Sequence, residues 1–273
     1  MQSGDSTQDA SNGHLLGTFV QVLSFDMTSN FIDEQVLMSD IAGTLSPGWP
    51  YVYATQDFLA TISGGSHYNT STSTWDDTTF IIGFDISGDT TTAPKPFCFA
   101  EIQGQTTNQY SADLHDGHLR VLTSEYYFGN ETAIPTSKIS VLKVPPPMSD
   151  AGIEMVLTGE IKAEVPLSGF VTVSRFMETW GYIETSEGSS YVYDLSDPSD
   201  PKTLGGLESS EHNSYLEPIS IDGVLHMLGV GIHYDESSSE GHLKINVFDI
   251  SDPSNLQAKA TYIEKEGSYS TSA

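Results

Sequence analysis

The sequence predicts an all-β chain built from the four-stranded antiparallel blades of a β-propeller, with about four to five blades of a larger ring present. Three observations carry this expectation. A short strand-and-turn phrase recurs as Leu23-Ser-Phe-Asp26-Met-Thr-Ser, Gly83-Phe-Asp85-Ile-Ser-Gly, Ser140-Val-Leu-Lys143-Val-Pro-Pro, Val192-Tyr-Asp194-Leu-Ser-Asp-Pro198 and Val247-Phe-Asp249-Ile-Ser-Asp-Pro253. Its markers at 26, 85, 143, 194 and 249 lie 59, 58, 51 and 55 residues apart, and a period of about 40–60 residues in all-β units is the signature of propeller blades. The 13 Tyr, 12 Phe and 3 Trp of the 273 residues suit pleated surfaces. Long runs of helix formers are missing.

Taken in chain order, residues 1–13 (MQSGDSTQDASNG) are small and polar, lack the apolar stretch of a signal peptide, and are expected to be disordered. Residues 14–273 then hold the repeats, in units ending near 26, 85, 143, 194 and 249. In the second unit Tyr51–Thr55 and Phe58–Ile62 flank a tight turn at Gln56-Asp57; a polar loop over 63–77 leads to a strand at 79–85. In the third, Asp116-Gly117 inside His115-Asp-Gly-His118 is the favoured pair for a type I′ hairpin turn, and Pro145-Pro-Pro147 is expected to form a stiffer turn between the outer strands. The fourth unit reads as strands at 170–173, 180–184, 190–194 and 202–207, the fifth as strands at 215–219, 224–230, 243–249 and 257–263. The recurring Asp-(Leu/Ile)-Ser-Asp-Pro has a mechanical reading. Asp and Ser side chains bond nearby backbone and Pro fixes φ, so Asp194, Asp197, Asp249 and Asp252 serve as turn formers between outer strands.

The 37 acidic residues outweigh 10 basic ones, for a net charge of −27. Such a surface repels phosphate backbones and anionic lipid, which argues against nucleic acid and membrane-surface partners; no apolar run is long enough for a membrane-spanning helix. The acids are scattered among turns, as in a surface kept soluble by charge. Asp235-Glu-Ser-Ser-Ser-Glu240 offers hard oxygen ligands suited to Ca2+, without the alternating acids of an EF-hand loop. Cys98, the single cysteine, lies in the apolar run Pro96–Ala100, where a buried structural thiol is expected. His115 and His118 are expected to cap a hairpin, a metal site there needing a third and fourth ligand from another blade, and His226 and His233 differ in strand parity, so they face opposite sides.

Asn108-Gln-Tyr-Ser-Ala-Asp113 followed by Asp116-Gly-His-Leu-Arg-Val121 resembles a motif of a secreted β-propeller family distantly related to WD repeats, of the form Asn-Gln-Phe-Ser-x-Asp then Gly-x-Leu-Arg-Val. Ser174-Arg-Phe-Met177, Tyr191–Pro198 with Pro201–Gly205, Ser214-Tyr-Leu-Glu-Pro218, Leu228-Gly-Val-Gly231 and Leu243–Pro253 continue the resemblance in order. It covers the chain from about residue 50 onward. It implies a multi-bladed propeller, an extracellular location and longer family members, and it carries over no catalytic residue. Sequons at Asn69 and Asn130 fit secretion. Asn108, Gln109, Asp113, Arg120 and Arg175 fall in these motifs; the two arginines are expected to anchor carboxylates between blades, Asp113 among them. A clamp for an anionic ligand in the channel is the functional alternative.

Enzyme signatures such as Gly-x-Ser-x-Gly, His-Glu-x-x-His, a P-loop or a recurring blade tryptophan are missing. The expected function is therefore a non-catalytic secreted scaffold binding a protein or a polysaccharide, without cofactor, through segments 63–77, 124–137 and 232–242. The alternative is a glycan-active hydrolase or lyase using channel carboxylates, for which two acids about 5–10 Å apart would be needed.

Overall fold

The computed structural model describes residues 18–25, 38–46, 48–70, 74–88, 94–125, 136–147, 152–163, 171–186, 188–207, 212–234, 241–252 and 255–264. Residues 1–13, Asp26, Asn130, 235–240 and Pro253 lie outside them. Every regular element among the described residues is a strand.

The first unit contributes the antiparallel pair β1 (Thr18–Phe25) and β2 (Met38–Ser46). The second blade orders β3 (Tyr51–Ala54), β4 (Phe58–Asn69), β5 (Thr74–Asp85) and β6 (Lys95–Gln103) side by side. The third uses β7 (Ala112–His115), β8 (His118–Glu125) and β9 (Thr136–Lys143). Its chain then leaves the blade. The two-residue β10 (Ile153–Glu154) pairs in parallel with Cys98 and Phe99 of β6, giving the second blade a fifth strand, before β11 (Val156–Ala163) returns to β9. The fourth blade is β12 (Val171–Met177), β13 (Trp180–Thr185), β14 (Ser190–Asp194) and β15 (Lys202–Leu207). The fifth is β16 (His212–Ile221), β17 (Val224–Tyr234), β18 (Gly241–Asp249) and β19 (Gln257–Ile263).

In the second to fifth blades the recurring phrase marks the end of the third strand. Asp85, Asp194 and Asp249 each turn a carboxylate oxygen onto the amide two residues on, at 3.0, 2.9 and 3.0 Å. That local bond ends the strand where it stands. Asp197 repeats the device on Ser199, and the Asp252 carbonyl accepts the Asn255 amide at 3.0 Å. The type I′ turn stands as expected, with φ of 46° at Asp116 and 72° at Gly117.

Two expectations need correction. Segment 63–77 is no loop: Ser63–Asn69 and Thr74–Asp77 extend β4 and β5 into one long hairpin. The ends of the other two segments are likewise strand, through Glu125 and from Thr136, and through Tyr234 and from Gly241. Pro145-Pro-Pro147 makes no tight turn between outer strands either; it starts the excursion to β10.

Apolar side chains of facing blades form the cores. Phe58, Ile62, Ile81, Leu119, Val121 and Leu142 fill the space between the second and third blades. Leu122, Ile139, Ile183 and Tyr193 fill the next, and Val192, Leu216, Met227 and Phe248 the last. Cys98 lies in the first of these cores, 2% exposed, and burial pushes its thiol up to about 12. Because the thiolate is the reactive form, a maleimide at pH 8 is expected to leave the native chain unlabelled and to modify it once urea unfolds it. Rapid labelling without denaturant would contradict this packing.

Candidate functional site

In every four-stranded sheet the strand first in sequence holds one edge, and these edges converge. β12 and β16 lie against each other, and each neighbouring pair of first strands is bonded across the blade gap. Tyr53 on β3 accepts the Leu114 amide at 2.9 Å and donates to Asp113 at 3.4 Å. Ser111, just before β7, meets Ser174 of β12 through their hydroxyls at 3.3 Å. Arg175 of β12 pairs with Glu217 of β16.

The two arginines do different work. Arg120 on β8 is 2% exposed; it donates to Asp113 in its own blade and to the Glu178 carbonyl of the next, 5.4 Å from the Phe176 ring centroid. It is a buried clamp between the third and fourth blades. Arg175 has 19% of its side chain exposed. Its guanidinium sits 4.8 Å over Tyr110 and 5.9 Å over Tyr215, so one cation joins rings from the third and fifth blades. The rings meet edge to face at 5.8 Å, and the Tyr215 hydroxyl donates to Glu217 at 2.8 Å. Asn108 sets the ring position, its side-chain oxygen accepting the Tyr110 amide at 2.8 Å. Gln109 is exposed.

Asn108, Asp113, Arg120 and Arg175 thus gather at the converging edges. Asp194, Asp197, Asp249 and Asp252 stand apart, at the turns between third and fourth strands. Sequence reasoning missed Tyr110, Tyr215 and Glu217, although Glu217 stands in a motif beside the arginine motif and bears the opposite charge. It also missed Glu184 of β13, which is 1% exposed. Both its oxygens accept from Asn213 of β16, the Asn213 side chain at 2.7 Å. Burial pushes the Glu184 carboxyl up to about 7 against the opposing pull of these bonds and of Lys244. Among the described residues, no group of three His, Cys, Asp or Glu is placed to hold a metal.

Antiparallel order puts the connections between second and third strands on one face, together with those leading from one blade to the next. The most exposed aromatics of the second blade stand there. Beyond the Gly65–Thr78 pair, no described strand flanks β4 or β5, because β3 begins opposite Ile62 and β6 ends opposite Thr78. Ser66, Asp77 and Gln105 knit the base of this overhang through bonds of 2.5, 2.7 and 2.9 Å. Past them the opposed Tyr68 and Trp75 are 51% and 54% exposed, with ring centroids 5.5 Å apart and planes at 62°. Trp49, on the connection into β3, is 88% exposed.

An uncharacterized protein of Archaeoglobus fulgidus is 30% identical over 167 residues, covering 60% of this chain and 23% of its own length. One of Methanocaldococcus jannaschii is 32% identical over 159 residues, covering 57% of this chain and 22% of its own. The chain therefore spans under a quarter of the length of these relatives. The beta propeller domain family matches residues 7–273, and with the converging blades described above the chain belongs to that family.

Proposed function

We propose that this domain is a non-catalytic binding scaffold for a protein or a polysaccharide, working outside the cell. The observation that carries this reading is the overhanging β4–β5 hairpin, which holds two large rings half in water on the face where the long connections emerge. Exposed aromatics held on a fixed frame mark contact surfaces. The acids of the converging edges support binding over hydrolysis. A glycosidase needs a reachable carboxyl that keeps its proton and a second free carboxylate. Here Asp113 and Glu217 are held in ion pairs by Arg120 and Arg175, and the proton-retaining Glu184 is sealed between blades.

Incubation with a panel of polysaccharides, followed by reducing-end and unsaturated-product assays, is expected to show no turnover. Turnover that disappears in Asp113→Asn or Glu217→Gln while the fold persists would replace the scaffold with the hydrolase or lyase reading.

A further inference from the structure

We infer that the overhanging tip of the β4–β5 hairpin binds a neutral polysaccharide chain, with pyranose rings stacking on Tyr68 and Trp75. This rests on the scaffold reading and narrows it to one ligand class and one place. An edge-to-face pair uses one face of one ring, so the half-exposed pair offers further aromatic surface to a ligand. A pyranose ring has an apolar C–H face and a rim of hydroxyls. It therefore suits an aromatic platform set among neutral hydrogen-bonding groups. The hairpin supplies that setting: residues 63–79 are mostly Ser, Thr, Gly and Asn, with His67, Asp76 and Asp77 and neither lysine nor arginine.

Other occupants fit less well. A polyanionic chain would meet a domain of net charge −27 with neither lysine nor arginine on the hairpin. A stable protein partner needs an interface of roughly 1,200–2,000 Å² with a desolvated centre, more than a two-stranded tip offers. Two features favour a chain over a single sugar. The Ser66–Asp77–Gln105 knot anchors the base of the hairpin arm, which lowers the ordering cost of binding a long ligand. Trp49 marks a second aromatic position on the same face: its neighbour Gly48 packs on the Gly64 carbonyl, where a Cβ would come within 2.6 Å. Gly64 lies four residues before Tyr68, roughly 13 Å along the strand.

The test is calorimetric titration of the whole chain with pentasaccharides of β-linked glucose, N-acetylglucosamine, xylose and mannose, and with a hexuronate oligomer as the anionic control. Saturable binding of at least one neutral oligomer is expected, without binding of the hexuronate. Trp75→Ala and Tyr68→Ala should each weaken it about tenfold, while Trp75→Phe and Tyr68→Phe retain most of it. Thermal midpoints taken alongside separate lost binding from lost folding, since the Phe variants keep the ring contact. Silence of every neutral sugar at about 10 mM overturns the glycan assignment. Affinity unchanged in both Ala variants overturns the location, and preference for the hexuronate overturns the charge argument. In each case the absence of turnover, measured separately, leaves the scaffold reading standing.

Discussion

Arg120→Met is expected to destabilise the domain by about 3 kcal/mol, the scale of breaking a buried pair by removing one partner. Methionine matches the stem of the side chain and fills its space, so the loss reports on the guanidinium. Without it Asp113 keeps, among the described residues, its weak contact with Tyr53, and the Glu178 carbonyl at the head of the fourth blade loses its donor. Arg120→Lys should recover little, because a single ammonium cannot reach both acceptors in the planar fork geometry. Urea unfolding monitored by tryptophan fluorescence reads the difference directly. A loss under 1 kcal/mol in Arg120→Met would mean that the blades hold together without this clamp. Arg175→Met is the internal comparison: its guanidinium is more exposed, and screening there should leave a smaller effect.

The second large effect is a dependence on pH set by Glu184. Its carboxyl is pushed from the ordinary 4.5 up to about 7 by burial between β13 and β16. Between those values the native state keeps a proton that the unfolded chain has released, so the native state binds more protons and stability falls as pH rises. The contribution is full below about pH 4.5 and is lost through pH 7, a difference of about 3 kcal/mol at 1.36 kcal/mol per unit. The groups facing Glu184 are Asn213, which donates to it twice, and Lys244 of β18, whose charge pulls the other way. Behind Asn213, Asn246 donates to it at 3.3 Å and accepts from Thr261 at 2.8 Å. Glu184→Gln should flatten the stability profile between pH 5 and pH 8 and come out more stable than the parent at pH 8. Lys244→Met should move the parent's fall to higher pH. A profile of unchanged slope in Glu184→Gln would assign the effect to another group.

The blade order and most strand ends were legible because local chemistry writes them. Asp85, Asp194 and Asp249 close their strands through bonds two residues away, the same local device at each of the three. The hairpin tip was read as a loop for an equally physical reason. Residues 63–77 lack the apolar alternation of a half-buried strand because no described strand pairs with their outer half; pairing across the hairpin is what the described residues show there. The strand β10 left no signal at all, since its two residues pair with Cys98 and Phe99, more than fifty positions earlier. At the converging edges the arginines stood out by scarcity. Tyr110 and Tyr215 did not, because their meeting at Arg175 exists only once three blades have closed. Glu184 ran against the ordinary preference of carboxylates for water, and only the neighbouring blade explains it.

The excursion that carries β10 changes what counts as a unit in this domain. In a plain propeller each blade can loosen with losses only at its two flat contacts. Here the third blade's own chain is hydrogen-bonded into the second blade's sheet, with the Met155 amide on the Phe99 carbonyl at 2.8 Å extending the seam. The second blade cannot fray at that rim without pulling on the segment between β9 and β11. Loosening either blade at that rim is therefore expected to disturb the other, a coupling that native-state hydrogen exchange at the Met155 amide and along β6 reads directly.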